Sequence, residues 1–242
     1  MAEGVVRFRV VGRGRAGGAL AIALGRVGWS EAAALGRGDD VSGAADGVDL
    51  LVIAPPDPVV AEVAAAVQPV ASTVVAHLAG SLTLDVLAPH ERGASVHPLA
   101  ALPSAELGAD RLLDGAWFAV AGDPMAEQVV AALGGNAITV ADEQRVAYHA
   151  AAVIASNHLV ALLGQAQRVA ATAGVPLEAY LDLVRATVEN VAELGPADAL
   201  TGPIARNDEA TVQRHIEALS PQERGAYEAL AQAARTLRDQ GS

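Results

Sequence analysis

The stretch Val5 to Leu20, VVRFRVVGRGRAGGAL, decides how this chain folds. Val5 to Val11 is an apolar segment of strand character. Gly12-Arg13-Gly14-Arg15-Ala16-Gly17-Gly18 and an alanine-rich run follow it, so the order reads strand, glycine turn, helix. In that setting Gly12 makes the tight turn, Gly14 lets the backbone approach a pyrophosphate, and Gly17 allows the helix to pack closely on the strand. Phosphate oxygens would sit on the free N–H groups of the first helical turn. The expected cofactor-binding residues are therefore Gly12, Arg13, Gly14, Arg15, Ala16 and Gly17, joined by Pro55 at the end of the strand that starts at Asp49.

Outward from this turn the first half alternates strand and helix signals. Ala16 to Val27 reads as a helix closed by Gly28, and Glu31 to Leu35 as a short second strand. Asp49 to Ala54 is a continuous apolar strand of the kind buried on both faces of a parallel sheet. After it, Asp57 is placed to cap a helix with Pro58 in its first turn, running through Val67. Ser72–Ala76, Ala94–His97, Asp114–Val120 and Ala137–Val140 supply further strands, with a helix starting near Pro124 behind Asp123. This alternation predicts an α/β fold with a doubly wound, mostly parallel sheet over residues 1–141. From Asp142 to residue 242 only helices are expected: Gln144–Ala173, Pro176–Leu194, one capped by Asp208, and one opened by Ser220-Pro221-Gln222-Glu223 as a capping box.

Composition removes several classes of chemistry. The 242 residues carry a net charge of −12, which argues against nucleic acid and anionic membrane as partners. There is no cysteine, hence no disulfide, thiol nucleophile or cysteine metal site. No two histidines have a persuasive ligand spacing, so no metal is expected. Every basic residue is arginine, which excludes Schiff-base chemistry and a lysine acid or base. The start of the chain lacks signal-peptide character, so a cytoplasmic protein is expected. Val146 to Leu163 is long and apolar enough to resemble a membrane span, but His149, Ser156, Asn157 and His158 lie within it; a buried helix, or one shared in a dimer, is the expectation.

The choice of dinucleotide turns on the end of the second strand. Leu35-Gly36-Arg37-Gly38 puts Arg37 where an arginine suits a 2′-phosphate, favouring NADP, while Asp39 and Asp40 keep NAD possible. Arg13 and Arg15 add positive charge near the phosphates.

Several further segments carry a resemblance: Ala76-His77-Leu78-Ala79-Gly80-Ser81, Val96-His97-Pro98-Leu99, Tyr148-His149 through Ala155-Ser156-Asn157-His158, and Ala199-Leu200-Thr201-Gly202-Pro203-Ile204-Ala205-Arg206. In this order they resemble the Rossmann-like family with a C-terminal helical domain of unknown function, often labelled oxidoreductases. That family is similar in turn to pyrroline-5-carboxylate reductases, deazaflavin-dependent NADP reductases and ketopantoate reductases. The resemblance implies hydride transfer to C=O or C=N and a homodimer joined through the helical domain. It departs from ketopantoate and hydroxyacid relatives in having no catalytic lysine, and its region after the second strand is short, which abbreviates the adenosine pocket.

A proton donor must then come from His, Tyr, Ser, an acid or water. His77 and His97 end strands where the sheet opens toward the nicotinamide. His149 and Asn157 are eight residues apart on one expected helix, close to two turns and nearly one face. These four are the catalytic candidates; structural hydrogen-bonding roles are the alternative for each. Gly80, Ser81, Ser156, Thr201 and Arg206 are the candidates for substrate binding, the arginine suiting a carboxylate or phosphate. The expected function is an NADP-dependent oxidoreductase acting on a small, carboxylated carbonyl or imine compound. A non-catalytic dinucleotide-binding sensor or partner-binding dimer on the same fold is the alternative.

Overall fold

Arg7–Val11 forms β1, with Phe8, Val10 and Val11 buried. Gly12 then takes a positive φ of 93° and Gly14 flanks α1 (Arg15–Arg26). These features come from a computed structural model that describes residues 4–240. The remaining strands are β2 (Ser30–Glu31), β3 (Leu50–Ile53), β4 (Val74–His77), β5 (Gly93–Pro98), β6 (Trp117–Gly122) and β7 (Asn136–Thr139), and the sheet order is β2-β1-β3-β4-β5-β6-β7. β1 to β5 run parallel; β6 pairs antiparallel with β5 and parallel with β7. Helices α2 (Val60–Ala66), α3 (Ala105–Leu112) and α4 (Met125–Ala132) complete the layers around the sheet.

The expected doubly wound sheet is present, and β3 shows why. Leu50 and Val52 join a core with Phe8, Leu20, Leu24 and Phe118, while Leu51 and Ile53 join another with Val60, Ala64 and Leu87. Successive side chains of a strand point to opposite faces, so a run of four buried apolar residues must be covered on both sides. Burying each such side chain contributes roughly 1.5–3 kcal/mol.

Local differences from the expectation have local causes. The second strand is Ser30–Glu31 rather than Glu31–Leu35, because Ala32–Ala34 is a poor strand former, yet the chain still follows β1 to a single bridge between Leu35 and Val11. Asp57 opens a 3₁₀ turn and makes no cap hydrogen bond. The sequence reading missed α3, whose N-terminus is capped by Ser104 Oγ accepting from the Leu107 N–H at 3.2 Å. Asp208 does cap its helix, accepting from the Thr211 N–H at 3.0 Å.

The chain divides into two compact units, one ending at Ser156 and one beginning at Asn157. The division falls inside the long helix expected over Gln144–Ala173, which is α5 (Arg145–Val153), a π turn over Ile154–His158, and α6 (Leu159–Thr172). A π turn changes the number of residues per turn, so an eight-residue spacing across it no longer fixes one face for His149 and Asn157. The helical run Asp142–Thr172 passes the length and composition test for a membrane span, and none of its apolar window is buried. Of the two expectations, a buried helix or one shared in a dimer, burial within the chain is not found.

The second unit consists of α6 with α7 (Glu178–Leu194), α8 (Gly202–Ala205), α9 (Glu209–Ala218) and α10 (Pro221–Gln240). Glu223 does not complete a capping box; its carboxylate receives Arg168 Nε and Nη2. Arg235 makes a paired contact with Glu209 at 3.0 and 2.6 Å, which ties α10 to α9.

Candidate active site

The glycine turn has the shape a pyrophosphate requires. A Cβ on Gly12 would lie 2.8 Å from the Ala54 carbonyl carbon and Pro55 N, and one on Gly17 would collide with the Gly12 carbonyl oxygen. These two positions are closed by backbone. Around Gly14 nothing lies within 4 Å of the place a Cβ would occupy. The first turn of α1 contains no acidic residue and receives no side-chain cap, so its N–H groups and dipole face an open space beside Gly14. Pro55 sits next to Gly12 at the end of β3. In this sheet order the chain reverses direction of travel between β1 and β3, which makes the crevice outside their C-terminal ends the switch point where dinucleotides lie in such folds.

The arginines at this edge differ in freedom. Arg13 reaches Glu31 at 3.3 Å. Arg15 and Arg37 are exposed and make no hydrogen bond or ion pair with the described residues. The Leu35 carbonyl accepts from the Gly12 N–H at 2.9 Å, so Gly36 and Arg37 emerge beside the turn. The carboxylates that argued for NAD are occupied: Asp39 Oδ2 accepts from the Gly36 N–H at 2.7 Å, and Asp40 Oδ1 from the Ser42 N–H at 2.9 Å. The Ser42 hydrogen bonds hold Asp40 below the usual carboxylate range. Arg37 is left as the free charged group of this loop.

Three of the catalytic candidates converge further along the same sheet edge. His77 ends β4 and is fully buried; its Cα partner on β5 is Ser95, two residues before His97. His97 Nδ1 lies 2.7 Å from Tyr148 Oη, and its ring packs edge-on to Tyr148 and His149 with centroids 5.5 and 5.6 Å apart. Gly80 makes this possible. A Cβ there would collide with His149 Nδ1 and lie 2.9 Å from His97 Nε2. Burial pushes His77 down to about 4, with the Arg145 charge adding to the effect; the backbones of Thr83 and Ala79 and the Asp142 charge oppose it. Burial also pushes His97 down to about 4, helped by His149, Arg145 and His77. Burial raises Tyr148 above its ordinary value, so its hydroxyl keeps its proton at neutral pH.

Arg145 and Asp142 are part of this cluster and were missed from sequence. Arg145 is the largest fully buried side chain, an unusual position for arginine. Its Nε lies 3.4 Å from Asp142 Oδ1 and its Nη1 donates to the Ala79 carbonyl at 3.5 Å. Asp142 Oδ2 accepts from the Leu84 N–H at 3.3 Å. Arg145 Nη2, both ring nitrogens of His77, Ser95 Oγ and His149 Nδ1 are buried without a partner among the described residues. Tyr148 was not among the catalytic candidates read from the sequence. The one sequence signal was the Asp142 to Arg145 spacing, which solvated helix starts show as well.

The other candidates are dispersed. Ser81 is half-buried beside Gly80, and Ser156 is exposed in the π turn. Asn157, Thr201 and Arg206 belong to the second unit and are exposed; Thr201 precedes the short helix α8.

Residues 117–234 match the family described as a domain of unknown function, DUF2520. No curated protein matches the chain. Solved structures do. A Bacteroides fragilis protein provisionally assigned as an NADP oxidoreductase is 20% identical with a TM-score of 0.76, covering 96% of this chain and 98% of its own. A reductive aminase from Aspergillus terreus, in complex with NADPH and ethyl levulinate, is 16% identical with a TM-score of 0.71 over 99% of this chain and 100% of its own. The 1-pyrroline-5-carboxylate reductase of Streptococcus pyogenes is 14% identical with a TM-score of 0.62 over 96% and 99%. The match to DUF2520 thus covers residues 117–234, and the whole chain has the Rossmann-like fold with C-terminal helices seen in these solved structures.

Proposed function

We propose that the protein is an NADP-dependent reductase that adds hydride to the carbon of a C=O or C=N bond in a small substrate. The observation that carries this reading is the convergence of His97 Nε2 and His149 Nδ1 on Gly80, at the same sheet edge as the open turn at Gly14. From β1 to β4 is two strand steps, roughly 10 Å, a span that the nicotinamide half of a dinucleotide bridges from its pyrophosphate.

NADPH, when bound, supplies the hydride; this chain's residues bind, orient and protonate. Gly12, Gly14 and Gly17 with the N-terminus of α1 hold the pyrophosphate, and Arg37 takes the 2′-phosphate. Tyr148 donates its hydroxyl proton to His97 Nδ1, which places the ring proton on Nε2 beside Gly80. Were hydride supplied to the C=O or C=N carbon, the electron pair of that bond would move onto oxygen or nitrogen, that atom would take the Nε2 proton while Nδ1 takes the proton of Tyr148, and a proton from water would restore the Tyr148 hydroxyl. A neutral imidazole that polarises the reacting bond fits a site in which both buried histidines titrate near 4. We propose a carboxylate on the substrate, a group that an arginine side chain suits.

We also propose a cytoplasmic homodimer joined through the helical unit. Leu183, Val188, Val191 and Leu194 on α7 and Leu230 on α10 are 39–63% exposed, and an apolar surface of this kind marks an interface. Leu194→Asp and Leu230→Asp should convert the dimer to monomer in analytical ultracentrifugation; a monomeric parent removes this part of the proposal.

The deciding experiment measures NADPH and NADH binding calorimetrically and then NADPH oxidation with a panel of ketones, keto acids and cyclic imines. Absence of NADPH binding at millimolar concentration sinks the reading. The alternative, a non-catalytic dinucleotide sensor, draws on the absence of lysine and on the short region after the second strand; binding without turnover across the panel selects it.

A further inference from the structure

The loop that follows β4 carries Gly80, and two contacts from one short segment hold it. Arg145 Nη1 donates to the carbonyl of Ala79 immediately before Gly80, and Asp142 Oδ2 accepts from the N–H of Leu84 at the far end of the loop. The two side chains pair with each other at 3.4 Å. The same segment leads into α5, whose next residues with rings are Tyr148 and His149. A guanidinium with no exposed surface and, among the described residues, one hydrogen bond and one ion pair is costly to bury, which points to a role that a neutral side chain would not fill.

We propose that Arg145 and Asp142 act together as the positioning device of the histidine site: they fasten the start of α5 to both ends of the loop, and so set His149 and His97 against Gly80. The pair also sets the charge around the imidazoles. The groups facing His97 are Tyr148 and His149 on α5, Arg145 at its start and His77 on β4; those facing His77 are Arg145, Asp142 and His97. Arg145 opposes a proton on either ring, and Asp142 favours one on His77. The positioning role serves the reductase reading above, but the charge relation holds whatever the reaction.

The test is titration of the histidine ring signals by NMR in the parent, Arg145→Met, Arg145→Lys and Asp142→Asn, together with NADPH affinity and, where a substrate is found, kcat and KM. In Arg145→Met the His77 and His97 titrations move up by about half a pH unit or more. In Asp142→Asn, where the cation has lost its counter-charge, that of His77 moves down. Arg145→Lys keeps the charge and restores the parent titrations. NADPH affinity stays within about twofold in all three, and kcat falls by about tenfold or more in Arg145→Met with KM little changed. Unmoved titrations in both Arg145→Met and Asp142→Asn overturn the inference, as does loss of melting temperature with no other change. If no substrate is ever turned over, the reductase reading fails while the titrations still decide the role of this pair.

Discussion

Lowering the pH from 7 to 5 will weaken the fold of the first unit by about 2 kcal/mol through His77 alone. The folded protein holds His77 near 4, whereas the unfolded chain protonates it near 6.5. Below 6.5 the unfolded state therefore binds a proton that the folded state refuses, so stability falls with pH until the folded value is reached. Between pH 7 and pH 5 linkage for one such group gives the stated loss, and the full cost, about 3 kcal/mol, is reached near pH 4. His97, also held near 4, acts in the same direction. Both tryptophans, Trp29 and Trp117, belong to the first unit, so their fluorescence reports its unfolding. With a urea dependence of about 2 kcal/mol per molar, the midpoint should drop by about 1 M between the two pH values. His77→Leu fills similar space without a titrating group and should flatten this dependence by one proton. A midpoint that moves by less than about 0.3 M, or a His77→Leu variant that keeps the parent's full pH sensitivity, refutes the claim that burial holds this ring neutral.

Three further outcomes are expected. Gly14→Val adds side chain where nothing lies within 4 Å, so the melting temperature should change little while NADPH affinity falls at least about tenfold by calorimetry; Gly17→Val, against the Gly12 carbonyl, should cost stability as well. Arg37→Ser removes the free guanidinium of the second-strand loop and should weaken NADPH binding by about 10–100-fold while leaving NADH binding within about twofold; equal losses for both cofactors would place the 2′-phosphate elsewhere. Gly80→Ala pushes His97 and His149 apart and should lower kcat by about tenfold or more, with NADPH affinity unchanged, in steady-state assays.

The turn from Gly12 to Gly17 could be read from the chain because its meaning is local. Strand, glycines and helix lie within a few residues, and the backbone clashes at Gly12 and Gly17 arise from their immediate neighbours and the next parallel strand. The continuous apolar run in β3 likewise announced burial on both faces. Arg37 was identified from its place after Leu35, but only the folded loop, with Asp39 and Asp40 turned onto backbone N–H groups, removed its competitors. Helix α3 was missed although Ser104 caps it; it is only eight residues long, and two of the three residues it buries, Gly108 and Ala109, are small.

Sequence by itself determined the alternation of strand and helix, the glycine turn around Gly14, the place of an arginine after the second strand, and the chemistry that a chain without lysine or cysteine cannot perform. These follow from backbone sterics, periodicity and residue inventory, which act over a few positions. Tertiary structure alone decided that His97 meets Tyr148 across 51 residues, that Gly80 is the point where His97 and His149 converge, and that Arg145 is buried among them. No local pattern distinguishes a buried arginine from a solvated one. Its surroundings are assembled from β4, β5 and α5, and only their packing sets whether its charge faces water or two imidazoles.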